Sequence, residues 1–166
     1  MSAPGLVIYP DPRLGQRAAA RSVDTSLVAI GDRLLRAAEA AKAFGLAAVH
    51  IGAVAPVVVI SIASDPKERD YRLLYNPEVT ATGEETAAGI EGSVSLPGIE
   101  VDVVRPVWAE VAYDDADGLR QALRLDGLPA RIAQHEIDQM NGIFFLDRVS
   151  RLKRDMALKK WKKRAG

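Results

Sequence analysis

The sequence predicts an α+β domain in which mixed antiparallel strands surround one central helix. Three observations carry the prediction. Residues 57–63 form a compact β-branched run of the kind that makes a buried strand. Residues 107–113 alternate apolar with larger or polar side chains and lead through Asp114-Asp115-Ala116-Asp117-Gly118 into Leu119, Gln121, Leu123 and Leu125, which is the pattern of a hairpin. Between Pro129, at home in a first helical turn, and Gly142, a helix stop, lies a segment with helical character. The 166 residues suit one domain, 1–166, with its own hydrophobic core.

Tyr9-Pro10-Asp11-Pro12 is too rich in proline for a helix and predicts an extended arm. Asp24 or Ser26 caps a helix reaching about residue 44, with Leu27, Ile30, Leu34, Leu35 and Ala38 on one side and Gly45 as its end. The 57–63 strand follows. Residues 71–75 predict another strand that ends at Asn76-Pro77. After the hairpin and the Pro129 helix, a last helix over about 150–164 is expected to turn Leu152, Met156 and Trp161 inward.

Composition narrows the function. No apolar run is long enough to cross a bilayer, and the first ten residues have no basic region or signal-type core, so a cytoplasmic location and no membrane partner are expected. The absence of cysteine excludes disulfides and thiolate metal sites. His50 and His135 are the only histidines, so a transition-metal site has at most two imidazoles and must otherwise use oxygen. Of the 22 basic and 22 acidic residues, nine basic and one acidic fall in 148–166, leaving an acidic body with a basic tail. Such a tail either contacts an anionic partner or is a solvated helix end whose cations suit the helix dipole.

The strongest chemical signal is Gln134-His135-Glu136-Ile137-Asp138-Gln139 on the predicted central helix. In a H-E-x-x-H helix, imidazoles four residues apart share a face and grip a metal, and the glutamate takes a proton from metal-bound water. Here the second imidazole is Gln139. Two further segments accompany it: Phe44-Gly45-Leu46-Ala47-Ala48-Val49-His50, and Glu91-Gly92-Ser93-Val94-Ser95-Leu96-Pro97-Gly98.

Together, in this order, the three segments resemble the motifs of the peptide deformylase family: G-x-G-L-A-A-x-Q, E-G-C-x-S and Q-H-E-x-D-H. Tyr9-Pro10-Asp11-Pro12, Tyr75-Asn76-Pro77-Glu78 and Asp147-Arg148-Val149-Ser150 resemble the family's arm, strand end and last-helix entry. The resemblance runs from about residue 6 to residue 158. It implies a small α+β fold whose central helix carries His135-Glu136 against a sheet. It also implies metal-dependent hydrolysis of the formyl group from formyl-methionyl nascent peptides, with one cysteine and two histidines on the metal.

Carried over by position, the metal ligands become Ser93, His135 and Gln139, and only His135 is a good ligand. A serine hydroxyl stays neutral and protonated near pH 7, and an amide oxygen binds a borderline metal far more weakly than an imidazole. No cofactor is therefore expected, or at most a weakly held divalent iron, zinc or nickel. Glu136 keeps the general acid–base position. His50 replaces the family's oxyanion glutamine, and Val94 holds the position of the backbone N–H that assists it. Deformylase turnover is expected to be weak or lost. One alternative is a working amide hydrolase with a rewired metal site of His50, His135 and Glu136. The simpler reading makes His50 a hydrogen-bonding histidine facing Ser93 or Glu136. A serine nucleophile at Ser93, with His135 as base and Glu136 as orienter, is disfavoured because adjacent helical residues point in different directions.

The expected ligand pocket comprises Phe44, Gly45, Leu46, Gly89, Arg131 and Ile132. Arg131 stands where the family has an aliphatic residue and Gly89 where a bulky apolar one is common, so the methionine pocket is reshaped. Arg131 either favours an acidic ligand or, more simply, turns to solvent. Formylated or other peptide N-termini are the expected ligands, and the ribosome is a candidate partner for the basic tail.

Overall fold

The computed structural model describes residues 5–165; residues 1–4 and 166, included in the single-domain reading, lie outside the described residues. The described residues form seven strands and three α-helices: β1 (Gly45–Ala47), β2 (Val57–Ser61), β3 (Tyr71–Thr82), β4 (Thr86–Gly92), β5 (Glu100–Pro106), β6 (Trp108–Asp114), β7 (Arg120–Asp126), α1 (Thr25–Ala41), α2 (Leu128–Met140) and α3 (Arg151–Ala165). All neighbouring strands are antiparallel, in a five-stranded sheet β1-β2-β3-β6-β7 and a separate β4-β5 ribbon.

β2 is buried along its whole length because both faces of the sheet are covered. Successive side chains of a strand point to opposite faces. Val57 and Val59 therefore pack with Leu27, Leu34 and Ala38 of α1. Val58 and Ile60 pack with Ala130, Ala133 and Ile137 of α2 on the other side. A third cluster joins Leu96, Ile99 and Val103 to Phe144, Phe145, Leu146 and Ala157, fastening the ribbon to the C-terminal part of the chain. α2 thus lies between the large sheet and the ribbon, as a central helix.

Asp24 caps α1 by accepting the Leu27 N–H at 2.8 Å. The helix stops earlier than Gly45: Lys42 takes a left-handed conformation, φ 53°, and closes the last turn. β3 does not end at Asn76-Pro77. Asn76 adopts φ 48°, the register with β6 shifts across this dipeptide, and the strand resumes to Thr82. The ribbon has no counterpart among the expected strands. The five-residue hairpin turn, α2 and its stop at Gly142, φ 79°, lie where the sequence puts them. In α3 the expected inward face is rotated. Leu152 and Met156 are 70% and 63% exposed, and the packed residues are Ala157, Leu158 and Trp161. An ion pair from Arg154 to Asp147, 2.8 Å, bridges the start of the helix to the turn before it.

Candidate functional site

The N-terminal arm draws two of the three motif segments together. The Val7 N–H donates to the His50 carbonyl at 2.9 Å, and the Tyr9 N–H donates to the Ser95 carbonyl at 2.8 Å. The Ser95 hydroxyl donates to the Val7 carbonyl at 2.6 Å. From the other side, Gly45 lets α2 approach β1 closely. A side chain there would meet Ile132 and Glu136 at 2.9 Å.

These approaches enclose a pocket of about 340 Å³ between α2, the end of β4 and the start of β1. Phe44, Gly45, His50, Ser93, Val94, Arg131, Ile132, His135 and Glu136 line it. Leu46, expected in the wall, instead lies fully buried in the α1 cluster, because its strand neighbour Gly45 faces the pocket and successive side chains alternate. Gly89 and Gln139 are not part of the lining. Lys42, Arg69, Ile90, Glu91, Glu100 and Leu128 also line the pocket and were assigned no role in the sequence reading.

Gln139 points away from the pocket. Its side-chain amide donates to the Leu14 carbonyl at 2.7 Å, where it ties α2 to the arm. His135 is gripped at Nδ1 by the Glu91 carboxylate at 2.7 Å. Glu91 in turn takes two hydrogen bonds from Arg105, at 2.6 and 2.9 Å, and one from Arg131 at 2.7 Å. Arg105 continues to Asp138 at 2.9 Å, and Arg148 meets Asp138 through a two-point contact at 2.9 and 2.8 Å. Burial opposes the charge on Glu91, but the hydrogen bonds from His135 and Arg105 hold its pKa down at about 2. Burial also opposes the imidazolium of His135, yet Glu136 and Glu91 raise it above the ordinary histidine range.

His50 does not hydrogen-bond across the pocket to Ser93 or Glu136. Its Nδ1 accepts the Ala47 N–H at 2.9 Å, so the ring proton is assigned to Nε2. Burial, with His135 adding to it, pushes His50 down to about 3, and the ring is neutral at pH 7. Its 3.8 Å approach to the Glu136 carboxylate is therefore not an ion pair. Two buried atoms have no partner among the described residues, His50 Nε2 and Glu136 Oε1. Burial pushes the Glu136 carboxyl up to about 7, against the pull of His135. Arg131 does not turn to solvent. Its guanidinium folds over Gly89, where a side chain would meet it at 2.8 Å, and bonds Glu91 and the carbonyls of Ala87 and Val103.

These residues do not fit the divalent metal of a H-E-x-x-H site. Among the described residues no three His, Cys, Asp or Glu side chains form a group suited to a metal ion. The donor set left at the three motif positions is one imidazole, one alcohol and one amide that points elsewhere.

A helix carrying His-Glu, packed between a sheet and a ribbon beside a half-open pocket, is the frame in which a H-E-x-x-H segment sits. The chain belongs to the polypeptide deformylase family; residues 4–155 match it. It is 37% identical to a peptide deformylase of Agrobacterium fabrum over 99% of this chain and 98% of that one. It is 42% identical to a peptide deformylase-like protein of Brucella melitensis, with 95% of each chain covered. The crystal structure of peptide deformylase from Ehrlichia chaffeensis superposes with a TM-score of 0.89 at 30% identity, covering 99% of this chain and 97% of the other.

Proposed function

We propose that this chain binds acylated peptide N-termini in the deformylase pocket without the family's metal-dependent removal of the formyl group. The observation that carries the reading is the donor set at the three motif positions, where Gln139 is committed to the Leu14 carbonyl and Ser93 offers only a neutral alcohol beside the single imidazole of His135. Water at its bulk pKa of about 15.7 is a poor nucleophile, whereas zinc-bound water titrates near about 7. Glu136 keeps its place but has no activated water to deprotonate.

Binding has its own support. An unpaired buried polar group costs about 1–3 kcal/mol, so a ligand that pairs His50 Nε2–H and Glu136 Oε1 recovers that loss. A formamide carries one acceptor and one donor. Its carbonyl suits the imidazole N–H, and its own N–H suits the carboxylate.

The test is incubation of a formyl-methionyl peptide with protein supplied with iron, nickel or zinc, with binding followed in parallel. The expected result is peptide binding with no turnover above the protein-free control. Substantial turnover that disappears in Glu136→Ala contradicts the reading and favours a working hydrolase.

A second, compatible reading rests on α3. Lys159, Lys160, Lys162 and Lys163 are all exposed, and none is ion-paired among the described residues. Such a face supports docking on an anionic partner such as the ribosome, in the cytoplasm. Among the described residues no helix is long and apolar enough to cross a membrane. Ribosome co-sedimentation that weakens steeply with salt is expected, and indifference to ribosomes at low salt contradicts it.

A further inference from the structure

Glu91 accepts two hydrogen bonds from Arg105, one from Arg131 and one contact from His135, so both of its oxygens are saturated. In the buried part of the network two carboxylates, Glu91 and Asp138, face two guanidiniums, Arg105 and Arg131, and Arg148 reaches Asp138 from a half-exposed position.

Arg131 is the member of this network with donors to spare at the pocket. Its Nη1 serves Glu91 and the Val103 carbonyl, and its Nη2 serves the Ala87 carbonyl. The Nε–H and the second Nη2–H have no partner among the described residues. A guanidinium with donors left over is a group that pairs readily with a carboxylate. Gly89 leaves room for the guanidinium in this position, since any side chain there would collide with it. Two more cations line the same pocket, Lys42 and Arg69, and neither is paired with a carboxylate among the described residues. Glu100 is the one lining acid outside the Glu91 network and the Glu136 floor.

We propose that this pocket selects an acylated peptide whose first side chain is a carboxylate, aspartate or glutamate, and that Arg131 is the residue that reads it. The proposal rests on the peptide-binding reading above and narrows it to a substrate class. A thioether side chain offers only a weak acceptor and leaves the guanidinium donors unsatisfied. A carboxylate pairs with the donors Arg131 has left and with Lys42 and Arg69, which have no carboxylate partner among the described residues.

The test uses the full-length protein and three formylated tripeptides that share one tail and begin with glutamate, glutamine or methionine, titrated calorimetrically at low and moderate salt. Glutamate and glutamine differ in charge at nearly constant shape. The formyl-glutamyl peptide is expected to bind about tenfold more tightly than the formyl-glutaminyl one, with a smaller margin at higher salt. In Arg131→Leu the margin is expected to fall toward unity, and in Arg131→Lys to survive in part. The wild-type comparison stands even where a variant fails to fold. Equal affinity for the glutamate and glutamine peptides overturns the proposal, as does tightest binding of the methionine peptide; in both cases peptide binding itself survives. If none of the three binds, the peptide-binding reading falls and takes this proposal with it.

Discussion

Side-chain commitments separate this pocket from a metal centre. Gln139 is not a weak ligand waiting in the site but a structural residue, with its amide on the Leu14 carbonyl. Gln139→Ala leaves that carbonyl's partner missing, and a loss of about 1–3 kcal/mol in chemical denaturation is expected. Glu136 gives a pH signature. Its folded-state pKa is raised from 4.5 to about 7, so between these values the unfolded chain has released a proton that the folded chain retains. Stability attributable to this group therefore falls as pH rises through that window and is level on either side. Relative to wild type, Glu136→Gln is expected to gain stability from pH 4.5 to 7, by up to about 3 kcal/mol, in urea titrations at a series of pH values. The identity of the motif residues was legible in the sequence; their bonding was not. Nothing in Gln139 itself says that a carbonyl 125 residues earlier will claim it. Glu91 and Arg105 meet only because β4 and β5 pair. Arg131 and His135, four residues apart on α2, share a helix face and both meet Glu91, a spacing that was the available signal.

Secondary-structure elements divide by how much of their pattern is local. α2 and the β6–β7 hairpin were readable because their turn chemistry and periodicity coincide. The ribbon escaped notice because β4 contributes Ala87, Ala88 and Gly89, which carry no hydrophobic alternation; Val101 and Val103 in β5 were the available signal. β3 passes through Asn76-Pro77 because the register shift removes the need for a regular ladder there. For α3, periodicity alone admitted the wrong face. Leu152→Ser and Met156→Ser are expected to change stability by less than about 0.5 kcal/mol. Ala157→Leu, overpacked beneath the helix, is expected to cost about 1–3 kcal/mol in the same thermal or denaturant measurement.

At the scale of the molecule, the deformylase scaffold is intact while Ser93 and Gln139 stand at two of its motif positions. The sheet, the ribbon and α2 still enclose the pocket, and the network from His135 through Glu91 and Arg105 to Asp138 and Arg148 joins the ribbon to α2 and the segment before α3. The double change Ser93→Cys with Gln139→His returns two donor types to the family's positions and is expected to restore metal binding. The most direct measurement is the metal content of the unaltered full-length protein after incubation with zinc or nickel and exhaustive dialysis. Far less than one ion per chain is expected. One tightly retained ion per chain, absent from His135→Ala, would contradict the loss of the metal centre.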